Sequence, residues 1–186
     1  PALPAGMTKG KWNANNFQYP YQLFVPVEVA EKKRYPLVIQ LHGTGKKGTN
    51  NIAQINDAPS QYFSGKGQAI EAHFILAPQM NEAFWSPTKL KALTDRIMST
   101  LPIDAKRVYI TGQSLGGIGT GAFVAAYPDM FAAMVPVSGI VSAADQLTSY
   151  PSLIYKIPYW GFHGSNDTTV PVDSHRQMIA ALKAAG

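Results

Sequence analysis

The sequence predicts a three-layer α/β sandwich, a mainly parallel sheet with helices on both faces. Two observations carry this. Short apolar, β-rich runs recur at wide intervals, and the stretches between them have helical spacing; strands separated by helices imply right-handed crossovers and parallel pairing. At 186 residues the chain has the length of one domain of roughly 150 residues. The alternation therefore belongs to a single sheet spanning 1–186.

In chain order, Tyr21-Gln22-Leu23-Phe24-Val25 alternates and reads as an outer, half-exposed strand. Pro36-Leu37-Val38-Ile39-Gln40-Leu41 is nearly all apolar and ends in His42-Gly43, as expected of a strand covered on both faces. From Gly43 to Ile70 the composition turns to Gly, Asn, Gln and Ser, which predicts an irregular loop with a short helix over the strand ends. His73 to Ala77 is the next strand. Ser86-Pro87 offers an N-cap and a proline at the first helical position, and Leu90, Leu93, Ile97 and Leu101 follow at helical spacing until Pro102. Val108 to Thr111 is a strand, 115–127 a Gly- and Ala-rich helix, and Ala133 to Val137 a further strand. Pro158 to Phe162 ends in a second His-Gly pair. A last helix begins near Pro171 with Met178, Ile179 and Leu182 on one face.

Composition narrows the function. Hydrophobic residues make up 46% and charged residues 15%, against roughly 25% charged in ordinary soluble domains, which excludes charge-driven disorder. The net charge is +5, but basic residues cluster only at Lys32-Lys33-Arg34 and Lys46-Lys47. Those short clusters fit solvated loops and predict no nucleic-acid partner. With no cysteine, thiolate nucleophiles, disulfides and Cys-ligated zinc are absent. No apolar run approaches the roughly 18 residues of a membrane span, and the start lacks a signal-peptide layout. Opening at Pro1, the chain is expected to be processed or cut from something longer.

The chemistry centres on Gly112-Gln113-Ser114-Leu115-Gly116, with Gly117 following. β-rich residues run directly into this Gly-x-Ser-x-Gly stretch and a helix leaves it. That context suits a sharp strand-to-helix turn that lifts a serine hydroxyl above the sheet. A nucleophilic serine also needs donors for the charge that builds on the carbonyl oxygen. The Leu115 N–H, at a helix start, is one candidate. The glycine-rich loop Leu41-His42-Gly43-Thr44-Gly45 supplies the other, for which we favour the Thr44 N–H. His42 reads as a brace for that loop, and Asp167, in Gly164-Ser165-Asn166-Asp167 after the last strand, as the acid that orients a base. Trp85, Gln113 and Trp160 are candidates to line the acyl or aromatic side of a pocket, with core packing an open alternative for both tryptophans.

With these motifs in view, the sequence resembles the α/β-hydrolases, more narrowly the bacterial carboxylesterases and feruloyl-esterase-like proteins related to polyhydroxybutyrate depolymerases and predicted peptidases. The likeness runs through Tyr35–Gly43, Ala77-Pro78-Gln79, Arg107–Gly117, Val135-Pro136-Val137-Ser138-Gly139, and Phe162-His163-Gly164 through Asp167 to Val170-Pro171. It implies Ser114 as nucleophile, Asp167 as acid, the amides of Leu115 and Thr44 as oxyanion hole, and no metal or organic cofactor. The substrate implied is a small acyl or aromatic ester, with a serine peptidase as the alternative activity. It also implies an N-terminal accessory domain and export to a secreted or periplasmic location. One element departs from the pattern. The family's histidine follows one more strand after the last helix, so that strand and base are expected beyond Gly186. His73 lies at the wrong edge of the sheet. His163 is expected to be structural, its His-Gly pair closing the strand, and packing or surface exposure is the default for His175, with substitution for the base by either of these two as the alternative. A non-catalytic fragment that keeps the pocket without its base is the remaining alternative.

Overall fold

The computed structural model describes residues 7–14, 17–26, 29–56, 66–141 and 143–186. Among the described residues six strands form one sheet: β1 (Met7–Ala14), β2 (Phe17–Phe24), β3 (Tyr35–Leu41), β4 (Phe74–Pro78), β5 (Ile103–Gln113) and β6 (Ala133–Val137). Their order is β1-β2-β4-β3-β5-β6. The β1–β2 and β2–β4 pairs are antiparallel, and β4, β3, β5 and β6 run parallel. The helices are α1 (Lys66–Ile70), α2 (Pro87–Thr100), α3 (Leu115–Ala126), α4 (Gln146–Ile154) and α5 (Val172–Ala185). No described helix is long and apolar enough to cross a membrane.

Residues 158–162 run beside β6 in parallel but not as a continuous ladder. Met134 N–H donates to Pro158 O at 3.0 Å, Trp160 N–H to Met134 O at 3.1 Å, Phe162 N–H to Pro136 O at 3.1 Å and Ser138 N–H to Phe162 O at 2.8 Å. The missing rung falls at Pro136, which has no N–H to give. Among the described residues no strand follows this segment, and its Trp160 and Phe162 are exposed at the sheet margin.

The period of two along each strand divides the sheet into two faces. Leu37, Ile39 and Leu41 of β3, Phe74 and Leu76 of β4, Val108 and Ile110 of β5 and Met134 of β6 join the large core. Leu90, Leu93 and Ile97 of α2, Phe123 and Val124 of α3, Ile154 of α4 and Met178 of α5 complete it. Each such side chain, when fully buried, contributes roughly 1.5–3 kcal/mol. The opposite face carries the smaller cluster Phe24, Ile75 and Ala77 with Ile55. Helix α2 starts where its cap predicts, Ser86 Oγ accepting the Lys89 N–H at 3.4 Å.

Two elements escape the sequence reading. Strand β1 has no apolar run, and α4 contains Pro151, a residue that reads as a breaker. The segment expected to be irregular holds 3₁₀ turns at Thr44–Lys46 and Ala53–Ile55 and the short α1; its residues 57–65 lie outside the described set.

Candidate active site

Ser114 sits between β5 and α3 with φ 55° and ψ −120°, a conformation that costs a non-glycine residue about 1–3 kcal/mol. The surrounding backbone holds it there. Its N–H donates to Val137 O at 2.8 Å. A Cβ on Gly112 would stand 2.3 Å from Gly116 O, and one on Gly116 would stand 2.0 Å from Leu41 O. The ends of β3 and β5 and the start of α3 therefore cross backbone against backbone, which only glycine permits. The side chain of Ser114 is half-buried, and Gln113 beside it is exposed.

The loop after β3 lies against this turn. A Cβ on Gly43 would be 3.5 Å from Ser114 Cβ and 3.2 Å from Gln113 O. In the 3₁₀ turn that follows, the bonded donors are Lys46 N–H, to Gly43 O at 3.1 Å, and Lys47 N–H, to Thr44 O at 3.2 Å. The Thr44 N–H precedes both and stands outside the turn's own ladder. In α3 the Ile118 N–H bonds Ser114 O at 3.0 Å, so the Leu115 N–H likewise precedes the first helical bond. Both candidate oxyanion donors thus precede the first bond of a helical turn, Leu115 directly after Ser114 and Thr44 directly after Gly43, which lies against Ser114.

His42 fixes the loop from beneath. It is 1% exposed. Its Nε2 accepts the Met80 N–H at 3.1 Å, so Nδ1 carries the proton, donated to Gly43 O at 2.7 Å. Both ring nitrogens are occupied and the ring is a brace. Trp85 is 4% exposed, with its indole N–H on His42 O at 3.3 Å and its ring 4.7 Å from the imidazole. It belongs to the core, and the pocket-lining expectation is corrected: the indole is spent on packing beneath the loop. Trp160 is 69% exposed and rests on Phe162 at 5.0 Å.

Sequence reasoning missed a buried amide network anchoring the same loop. Gln79 Oε1 accepts the Asn51 N–H at 2.6 Å, while Gln79 Nε2 donates to Lys46 O at 3.0 Å and Asn50 Oδ1 at 3.1 Å. Gln54 donates to Asn51 Oδ1 at 2.7 Å, Asn51 Nδ2 donates to Tyr21 O at 3.0 Å, and Gln22 donates to Asn51 O. The one available signal was Gln79, a glutamine directly after a fully apolar strand.

Asp167 lies in the turn after residues 158–162. Its Oδ1 accepts N–H groups from Thr169 and Val170, both at 2.9 Å, and Oδ2 is 3.5 Å from His163 Nε2. The backbone donors, Val170 first and Thr169 next, hold the carboxyl below its ordinary pKa, with His163 adding a smaller pull. His163 donates from Nε2 to Val170 O at 2.7 Å and faces His175 Nδ1 with its own Nδ1 at 3.0 Å; His175 Nε2 meets the Tyr159 hydroxyl. His73 opens β4 at its amino end, Nδ1 on Glu71 O at 2.6 Å, the edge opposite Ser114. Among the described residues, no histidine hydrogen-bonds the Ser114 hydroxyl.

A parallel sheet whose central strand turns through a strained serine into a glycine-tight helix, with its loops gathered at the carboxyl edge, is the architecture of the α/β-hydrolases. A crystal structure described as a thermostable esterase has this fold at a TM-score of 0.88 and 29% identity, covering 98% of this chain and 53% of that one. The model of the phospholipase/carboxylesterase family matches residues 79–186, more than half of the chain. The chain belongs to that family. It is 26% identical to "Probable feruloyl esterase C" of Aspergillus terreus, over 92% of this chain and 63% of that protein. It is 27% identical to "Poly(3-hydroxyalkanoate) depolymerase C" of Paucimonas lemoignei, over 85% and 47%. The chain thus spans about half to just under two thirds of the length of these relatives.

Proposed function

We propose that residues 1–186 are a hydrolase domain that cleaves carboxylic esters through an acyl-enzyme on Ser114. The observation that carries this reading is the strained Ser114 backbone, φ 55°, beside two N–H groups ahead of their helical ladders. Strain of this kind persists where the surroundings over-determine it, and such places cluster at active sites. Ser114 Oγ attacks the ester carbonyl, and the amides of Thr44 and Leu115 receive the negative charge of the tetrahedral intermediate. Collapse expels the alcohol and leaves the acyl group on Oγ; water then repeats the attack and releases the acid.

The base is a histidine from outside residues 1–186, oriented by Asp167. In support, His42, His163 and His175 each have both ring nitrogens engaged elsewhere. Removing a triad member leaves roughly 10³ to 10⁴ over water from binding and the oxyanion hole, so these residues alone hydrolyse esters slowly. The names of the relatives support an aromatic acyl ester of the feruloyl type or a short acyl ester as substrate. Gln113, exposed beside the nucleophile, is the residue best placed to touch the acyl group. The test compares p-nitrophenyl acetate hydrolysis by residues 1–186 and by a chain extended through a further strand and histidine. The extended chain is expected to be faster by at least 10³. Equal, Ser114-dependent rates defeat the assignment of the base, and no Ser114-dependent turnover in either defeats the hydrolase.

A further inference from the structure

Tyr159, His163 and His175 are half-buried or buried, come from two different elements, and take no part in the reaction just described. Strand parity puts Tyr159, Gly161 and His163 on the same side of the 158–162 segment, facing α5. From α5 the His175 ring enters between them, 5.2 Å from the His163 ring and 5.7 Å from Tyr159. Gly161 makes room for it, since a Cβ there would stand 1.9 Å from His175 Nε2.

The hydrogen bonds allow one arrangement when both rings are neutral. Val170 O can only accept, so His163 Nε2 carries a proton and its Nδ1 is bare. The 3.0 Å contact between the two Nδ1 atoms is then a bond donated by His175 Nδ1. That leaves His175 Nε2 bare, and the Tyr159 O–H donates to it. Burial, with His163 beside it, pushes the His175 pKa down, and burial pushes Tyr159 up. Both effects favour the neutral arrangement. Asp173 and Arg176, the charged neighbours of His175 on α5, pair with each other at 3.1 Å on the solvent side.

The chain of donors has a direction. It starts at Tyr159, passes through His175 and His163, and ends on the carbonyl of Val170, whose own N–H is one of the two that hold Asp167 Oδ1. We propose that Tyr159, His175 and His163 are positioning residues that set the Asp167 carboxylate by clamping the 167–170 turn from below. The proposal rests on the reading of Asp167 as the catalytic acid, but its mechanical content does not need turnover. A bare Nε2 on His175 and a protonated Nε2 on His163 are required, and packing alone would dictate neither.

The experiment is NMR on residues 1–186, following the Asp167 carboxyl carbon against pH and the imidazole nitrogens at neutral pH. In the wild type, His175 is expected as the Nδ1–H tautomer, His163 as the Nε2–H tautomer, and Asp167 titrates below the ordinary carboxyl range. Tyr159→Phe removes only the terminal hydroxyl, and Gly161→Ala displaces the His175 ring with every partner intact. In each, Asp167 is expected to titrate about half a unit or more higher as its two backbone donors loosen. His175→Phe, which removes both bonds of the ring, should raise it further, whereas His175→Asn, whose amide N–H takes the place of Nδ1–H and loses only the Tyr159 contact, should raise it no more than Tyr159→Phe does. An unchanged Asp167 midpoint in folded Tyr159→Phe and Gly161→Ala proteins, or His175 found as the Nε2–H tautomer, overturns the proposal. Fluorophosphonate labelling of Ser114, in a chain extended through the further strand and its histidine, separates it from the function: an unlabelled serine there with the Asp167 shifts intact removes the hydrolase reading and keeps the clamp.

Discussion

The serine turn and the aspartate turn stand at the same edge of the sheet and are built in opposite ways. Around Ser114 the backbone does the holding, with strands β3 and β5 and helix α3 so close that a single methyl would collide at 2.0 Å with Leu41 O. Around Asp167 there is no such crowding. Its turn is exposed at Gly164, Ser165 and Asn166 and is kept in shape by hydrogen bonds to one carboxylate and one imidazole. A nucleophile must be held against its own strain, which takes rigid and continuous packing. The orienting role expected of Asp167 needs only fixed donors, here the backbone N–H groups of Thr169 and Val170.

The comparison can be broken most sharply at the serine. In a chain extended through the further strand and its histidine, Ser114→Ala should abolish fluorophosphonate labelling and cut ester turnover to the residual left by binding and the oxyanion hole, measured by intact mass and by p-nitrophenol release. Next in size, Gly116→Ala should cost more than about 4 kcal/mol, because backbone atoms and not a movable side chain oppose the methyl; urea unfolding reads this, and a loss under 1 kcal/mol would contradict the crossing. Thr44→Pro is a clean deletion of one N–H. Gly43 already has φ −78° and ψ 176°, the extended backbone that precedes proline. The expected loss is about 10² to 10³ in acylation rate, with Thr44→Ala near wild type, and equal rates for the two variants would remove Thr44 from the oxyanion site.

Smaller effects sharpen the aspartate side. Since folding lowers the Asp167 pKa, its carboxylate stabilises the fold above the ordinary carboxyl pKa of about 3.9. That contribution is lost as the pH falls through the lower, folded value. The stability gap between wild type and Asp167→Asn should therefore be widest near neutral pH and shrink as the pH falls below the ordinary carboxyl range, followed by urea midpoints. Smallest of all, Lys91→Ala breaks the 2.6 Å pair with Asp95 on the exposed face of α2 and should cost no more than about 0.5 kcal/mol. It is the control for a hydrogen-bonded charge outside any site.

Legibility followed how local each signal was. The strands read at residues 36–41, 73–77, 108–111 and 133–137 announce themselves because burial on a parallel sheet demands continuous apolar runs. The charged first half of β5, residues 103–107, carries no such run. Ser114 is legible because its turn needs small residues at fixed offsets. Asp167 was chosen as the candidate acid for its place just after the last expected strand, while β1 and the proline-containing α4 had no periodicity to read. The amides of Gln22, Asn51, Gln54 and Gln79 look like ordinary polar residues until the loop folds back and buries them. For Trp85 the sequence left pocket lining and core packing both open for the same reason: nothing local says that an indole after a loop turns inward onto His42.

By itself, then, the sequence determined the alternation of strand and helix, the serine at a glycine-bounded turn, and the order of serine before aspartate. Those features are written in spacing and residue size, which act over a few positions. The tertiary structure alone decided which histidines have no nitrogen to spare. It also decided that Tyr159, His175 and His163 form one chain of donors ending at the Asp167 turn. Such relations depend on parity across a strand facing one turn of a distant helix, with Gly161 leaving the gap between them. A hydrogen bond over that span exists only once both elements are packed.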